Sequence, residues 1–126
     1  MPRALIVDDS AYARRYHARI LAEGGFEVVT AADGQEGLAA ALRTPVDLVL
    51  TDLNMTGLDG YALTARLREV PEYAGVPIVI ISSDSGERDR RRGLEAGATL
   101  YLPKPCAPEL LLAQLRLLAP HPAAGA

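Results

Sequence analysis

Five short apolar runs punctuate the chain, and each is followed by a longer stretch of mixed polarity. Arg3 to Val7 is the first, with Ala4-Leu5-Ile6-Val7 unbroken, and Phe26 to Thr30 is the second. Val46 to Asp52 is the third, Val76 to Ile81 the fourth and most apolar, and Leu100-Tyr101-Leu102 the fifth. Runs this short and this apolar predict strands buried on both faces. Between and after them the pattern predicts five helices: about Ala11 to Ala22, Gly34 or Gln35 to Leu42, Gly60 to Val70, roughly Glu87 to Ala96, and Pro108 to Leu118. The punctuation agrees. Ser10 or Asp9 can cap the first helix, and Gly24-Gly25 stops it. Asp33-Gly34 turns into the second helix, which ends ahead of Thr44-Pro45. Asp59 caps the third, Ser82 to Gly86 form a loop that caps the fourth, and Gly97 stops it. Pro108 stands in the first turn of the last.

Strands alternating with helices predict a parallel sheet covered on both faces, a doubly wound α/β domain of three layers. Asp8 and Asp9 follow the first strand, Asp52 ends the third, Ser82 and Ser83 follow the fourth, and Lys104 follows the fifth. In a parallel sheet these points share one edge. The second strand is followed only by Ala31-Ala32-Asp33, as an outer strand would be. The flavodoxin-like order 2-1-3-4-5 sets strands one and three side by side, so three carboxylates converge at the switch point. Residues 1–119 are read as the domain and 120–126 as a flexible tail or the start of a linker.

The totals sharpen this picture. A chain of 126 residues with 49% hydrophobic and 23% charged residues suits one domain with a proper core. A net charge of -3 argues against direct contact with nucleic acid, because no positive field attracts phosphates. No apolar run is long enough to cross a membrane, and Asp8-Asp9 cuts off Leu5-Ile6-Val7 before a signal peptide could form. A single cysteine, Cys106, fits a reducing cytoplasm and reads as a packing residue with no nearby His or Asp to activate it. Of 13 basic residues all but Lys104 are Arg, so Lys104 marks a place where a compact ammonium is wanted and a planar fork is not.

Three acids in one place repel one another unless a cation neutralises them. Oxygen-only ligation suits a hard ion such as Mg²⁺. A carboxylate beside Mg²⁺, with a hydroxyl and an ammonium opposite, makes a phosphoryl site, and Asp52 itself would be the nucleophile. Asp59 is better placed than Asp52 to cap the following helix, which leaves Asp52 without an obvious structural role. Any one of these residues alone could be a cap, a turn or a surface charge; their arrival at one edge is what carries the reading.

Five motifs in order now resemble the response-regulator receiver domain of two-component signalling, over about Arg3 to Leu118. They are Val7-Asp8-Asp9-Ser10, Leu50-Thr51-Asp52, Gly57-Leu58-Asp59-Gly60, Pro77 to Ser83, and Gly97-Ala98 leading to Tyr101-Leu102-Pro103-Lys104-Pro105. The resemblance implies that Asp52 is the phosphoacceptor, and that Asp8, Asp9, Asp52 and the backbone carbonyl of Asn54 hold Mg²⁺. It implies that Lys104 pairs with the phosphoryl group beside a cis Lys104-Pro105 bond, and that Ser82 and Tyr101 are the switch hydroxyl and switch aromatic. The implied partners are a histidine kinase or phosphotransfer protein and a downstream protein target or an output domain not present here, with a second copy of the chain as a further candidate. Such a domain modifies itself and is no turnover enzyme on an outside substrate.

The chain departs from the family at Thr56, where Pro is frequent, and at Cys106, where Phe is common. Asn54 and Asp84 flank the expected path of the hydrolytic water. Arg88 to Arg92 read as a solvated helix face, with a docking site for an acidic partner or a second copy as the sharper alternative. The Lys-x-x-Asp pattern of dimerising transcription-factor receivers is not evident after Lys104. Two rivals remain. Asp52-Leu53-Asn54-Met55-Thr56 resembles the Asp-x-Asp-x-Thr signature of haloacid-dehalogenase-type phosphatases, but with Asn54 at the general acid and in the wrong strand. A flavodoxin-like cofactor binder would set a flavin phosphate against Asp8-Asp9.

Overall fold

The computed structural model describes residues 1–84 and 86–120, so the expected tail at 121–126 lies outside the described residues. Five strands alternate with five helices: β1 (Arg3–Val7), α1 (Ala11–Glu23), β2 (Glu27–Ala31), α2 (Gly34–Arg43), β3 (Leu48–Asp52), α3 (Gly60–Arg68), β4 (Ile78–Ser82), α4 (Glu87–Ala96), β5 (Leu100–Pro103) and α5 (Pro108–Leu118). The strands pair in parallel in the order β2-β1-β3-β4-β5. This is the flavodoxin-like, doubly wound arrangement expected.

The unbroken apolar runs have a simple cause. Successive strand residues point to opposite faces, and both faces are covered. Ala4, Ile6, Leu48, Leu50, Val79 and Ile81 face Ile20 and Leu21 of α1 and Leu111 and Leu115 of α5. Leu5, Val7, Val49 and Ile78 face Ala40 and Ala41 of α2 and Leu63 and Leu67 of α3. A third, smaller cluster of Leu53, Tyr61, Ile80, Ala98 and Tyr101 fills the space next to α4.

Asp59 caps α3 as expected, Ser10 is the one of the two α1 candidates that caps, and Asp33, expected as part of a turn, caps α2. The side chains of Ser10, Asp33 and Asp59 accept from the backbone N–H of Ala13, Glu36 and Ala62, at 3.2, 2.8 and 2.8 Å. The α4 cap differs. Gly86 is the N-cap, and no side chain bonds there. Gly97, at φ 115°, closes α4 in the left-handed conformation.

The differences in length have local reasons. Strand β3 starts at Leu48 because the Val46 N–H donates to the Tyr73 hydroxyl at 3.2 Å and is lost to the sheet. Helix α3 stops at Arg68 because Pro71 holds Val70 extended, and the N–H groups of Glu69 and Val70 tighten onto Arg66 and Leu67. A 3₁₀ turn over Pro71–Tyr73, absent from the sequence expectation, follows. Arg68 then ties the segment down, donating to the carbonyls of Tyr73, Val76 and Gly97 at 2.6, 2.7 and 2.8 Å.

Helix α3 enters directly beneath the end of β3. A Cβ at Gly60 would fall 2.5 Å from the Asp52 carbonyl oxygen and 2.9 Å from Leu53 Cα, both backbone atoms. Gly60→Ala is therefore expected to destabilise the domain by about 2 kcal/mol in urea unfolding. Gly75→Ala, with nothing within 4 Å of the new methyl, should change the unfolding free energy by less than about 0.5 kcal/mol.

Candidate functional site

Parallel register brings the strand ends level. Val7 pairs with Thr51, Asp52 with Ile81, and Ser82 with Pro103. Chain continuity then carries Asp8 and Asp9 off β1, keeps Asp52 at the tip of β3, and delivers Lys104 from β5. The Lys104 N–H donates to the Ser82 carbonyl at 2.8 Å, and the Lys104-Pro105 bond is cis. Lys104 Nζ donates to Asp8 Oδ2 at 3.0 Å and to Asp52 Oδ1 at 3.1 Å. Asp8 is buried, with its other carboxylate oxygen on the Ser10 N–H at 2.9 Å; Asp52 is half-buried and Asp9 exposed. Carboxylate oxygens of all three lie within 4.8 Å of one another.

Electrostatics follow from that crowding. Burial raises the Asp52 carboxyl above the ordinary range, and Asp8 beside it adds to the rise; Lys104 and the Leu53 backbone pull the other way. Burial also works against the Lys104 charge, but its bonds to Asp8 and Asp52 outweigh that, so its ammonium is held above the usual lysine value. Three carboxylates against one ammonium leave an excess of negative charge in an all-oxygen donor set. These residues fit a hard divalent cation such as Mg²⁺.

Behind the acids stands a hydrogen-bonded hub at Asp84. Its N–H donates to the Ser82 hydroxyl at 3.0 Å, its carboxylate accepts from Asn54 Nδ2 at 2.9 Å, and its carbonyl accepts from the Tyr101 hydroxyl. Ser82 is fully buried and Tyr101 nearly so. The sequence-predicted residues Asp8, Asp9, Asp52, Ser82, Tyr101, Lys104 and Asn54 thus lie around one edge of the sheet. The role of Asp84 as the link among Asn54, Ser82 and Tyr101 was not readable from the sequence, because two of its three contacts use backbone atoms.

His17, to which the sequence reading gave no functional role, also lies near the site. It is buried on the inner face of α1, and burial, then Lys104, pushes its imidazole below the ordinary value. Its spacing from Ala13, Ile20 and Leu21 was the available signal. Cys106, expected to have no histidine near it, shares with His17, Tyr12, Tyr16 and Lys104 the lining of a groove of about 480 Å³. Burial raises the Cys106 thiol, which keeps it protonated and suits the packing role.

A carboxyl raised by folding holds its proton more tightly in the folded chain. Its contribution favours the fold at low pH and is lost as pH rises through the raised value. At neutral pH the ionised Asp52 is therefore a burden on stability. Asp52→Asn, which removes that burden, should raise the melting temperature in EDTA at neutral pH. Added Mg²⁺ should raise the melting temperature of the native chain by more than that of the variant, which differential scanning calorimetry will read.

Similarity to known proteins agrees with this edge. The family model of the response regulator receiver domain matches residues 4–116. The Myxococcus xanthus gliding motility regulatory protein is 42% identical over 102 residues, covering 81% of this chain and 13% of that protein. Response regulator PleD of Caulobacter vibrioides is 40% identical over 117 residues, covering 92% of this chain and 26% of that protein. The chain thus spans well under half the length of these two curated relatives. Among solved structures, the Vibrio cholerae chemotaxis protein CheY4 superposes with a TM-score of 0.90 at 35% identity, covering 94% of this chain and 98% of that one. The receiver domain of the Pseudomonas aeruginosa sensor histidine kinase PA1611, which holds a magnesium ion in its active-site cleft, gives a TM-score of 0.86 at 29% identity, covering 93% and 96%. The chain belongs to the response regulator receiver domain family, the phosphorylation-dependent signalling domains of two-component systems.

Proposed function

We propose that Asp52 is the phosphoacceptor of a Mg²⁺-dependent signalling switch. The observation that carries this reading is the Lys104 ammonium bonded at once to Asp8 and Asp52 at 3.0 and 3.1 Å, with Asp9 completing an oxygen cluster within 4.8 Å. Asp8, Asp9, the Asp52 carboxylate and the Asn54 carbonyl would hold the ion, which supplies charge neutralisation for a phosphoryl group. An Asp52 oxygen attacks the phosphorus of a phosphohistidine on a kinase or phosphotransfer protein. The O–P bond forms as the P–N bond breaks, and the imidazole leaves with the electron pair and takes up a proton. Lys104 exchanges a carboxylate contact for a phosphoryl oxygen, and the Ser82 hydroxyl takes another. Water later attacks the phosphorus, returning inorganic phosphate and the Asp52 carboxylate. Asn54 and Asp84, bonded to each other at 2.9 Å, are the residues expected to flank the path of that water.

The domain comprises residues 1–119 and acts on a protein target or an attached output domain through its α4, β5 and α5 face. It catalyses only its own modification. Its lone thiol and its kinase partners suit the cytoplasm.

Incubation with Mg²⁺ and acetyl phosphate, followed by intact mass, tests the assignment. The native chain should gain one phosphoryl group, lost with EDTA; Asp52→Asn should gain none. A gain in the variant would move the acceptor elsewhere. The nucleophile is the ionised carboxylate, so the initial rate should fall as pH drops through the Asp52 titration; bound Mg²⁺ favours that carboxylate and should move the fall to lower pH as its concentration is raised.

A further inference from the structure

Helix α4 is fastened differently from its neighbours. It buries one residue, Gly93, whereas α2 buries four and α3 five. Its only large apolar side chain, Leu94, is 38% exposed. Apolar packing therefore does little to hold it. Three specific contacts do more. Gly93 closes on Tyr101 so tightly that a Cβ there would fall 2.8 Å from the Tyr101 ring. The Tyr61 hydroxyl, reaching over from α3, donates to the Asp89 carbonyl at 3.2 Å. The Arg92 guanidinium sits 4.3 Å from the centroid of the Tyr61 ring.

Asp89 and Arg92 are three residues apart, so both face Tyr61 from one side of the helix. The phenol is well suited to its part. Burial, with Tyr101 and Asp89 adding, pushes it up to about 12, so it stays a protonated donor. Arg92 is thereby set apart from Arg88 and Arg91, exposed residues with no ion pair among the described residues.

We propose that Tyr61 and Arg92 form a clasp that positions α4, and that this clasp governs how far a rearrangement at Ser82 and Tyr101 is passed to the α4 surface. Tyr61 and Tyr101 belong to one cluster, Tyr101 is tied to Asp84, and Asp84 is tied to Ser82. A shift of Ser82 alters the floor on which the clasp rests, and the clasp decides whether α4 stays with the body or leaves it. Tyr61 and Arg92 are positioning residues. The docking half of this inference stands on geometry alone; the transmission half rests on Asp52 as phosphoacceptor.

Amide hydrogen exchange by mass spectrometry separates the two. Native chain, Y61F, R92Q and R92K are compared in EDTA and then with Mg²⁺ and acetyl phosphate, with intact mass taken on the same samples. In EDTA, residues 87–96 of Y61F and R92Q should exchange about threefold to tenfold faster than native, as loss of one hydrogen bond or one cation–π contact allows. Exchange in α1 and α2 should not change, and R92K, which keeps the cation, should stay near native. On phosphorylation the native α4 should change its exchange, and Y61F and R92Q should show little further change. Native-like exchange of α4 in Y61F and R92Q overturns the clasp, and R92K resembling R92Q removes the cation from it. If the variants gain the phosphoryl mass and their α4 responds as in the native chain, transmission through the clasp is overturned. If no chain gains the mass, the Asp52 reading and the transmission half fall together, while the EDTA comparison still decides docking.

Discussion

The Lys104 ammonium bridging Asp8 and Asp52 is the contact on which the rest of this molecule depends. Carboxylates held within 4.8 Å of one another, one of them buried and one half-buried, repel strongly. One bound cation reduces that repulsion without removing it. The cost is visible in the raised Asp52 carboxyl, and it is borne by a core of fully buried strand residues on either side. A site so constituted attracts a further cation, and it holds the Asp52 carboxylate half-buried and oriented by Lys104.

Everything else serves to keep that edge in register. The parallel pairings level the ends of β1, β3, β4 and β5. Helix α3 closes against the Asp52 backbone through Gly60, leaving no space for a side chain. The Lys104 backbone is locked to Ser82, so the ammonium and the Ser82 hydroxyl are set by the same pair of strands. By contrast α4 is held by two phenols and one guanidinium with almost no buried apolar surface. Elements with few buried contacts occupy the low end of local stability, and movement is drawn from them. The rigid and the adjustable parts of the domain are thus distinguished by what holds them.

Much of the site was legible in one dimension. Asp52 was singled out because Asp59 was the better cap, and Asp59 does cap α3. Lys104 was singled out because every other basic residue is Arg, and it lies between two of the acids. Less legible were contacts made by backbone atoms or between distant side chains. Asp84 works largely through its amide and carbonyl, which every residue possesses. His17 and Cys106, 89 positions apart, line one groove only because α1 packs beside the loop after β5. Tyr61 drew no reading of its own, and Arg92 looked like one cation of a solvated run.

By itself the sequence determined the alternation of elements, the parallel sheet, and the set of residues delivered to its edge. It could do so because hydrophobic period, caps and Gly/Pro punctuation are local properties, and a parallel sheet places every strand's C-terminal end on the same side. Only tertiary structure decided which of those residues touch: Lys104 to both acids, Asp84 to Ser82 and Tyr101, Tyr61 to α4. Those contacts depend on distances of a few ångströms between segments far apart in the chain. Such distances are set by how whole layers pack, and no local pattern encodes them.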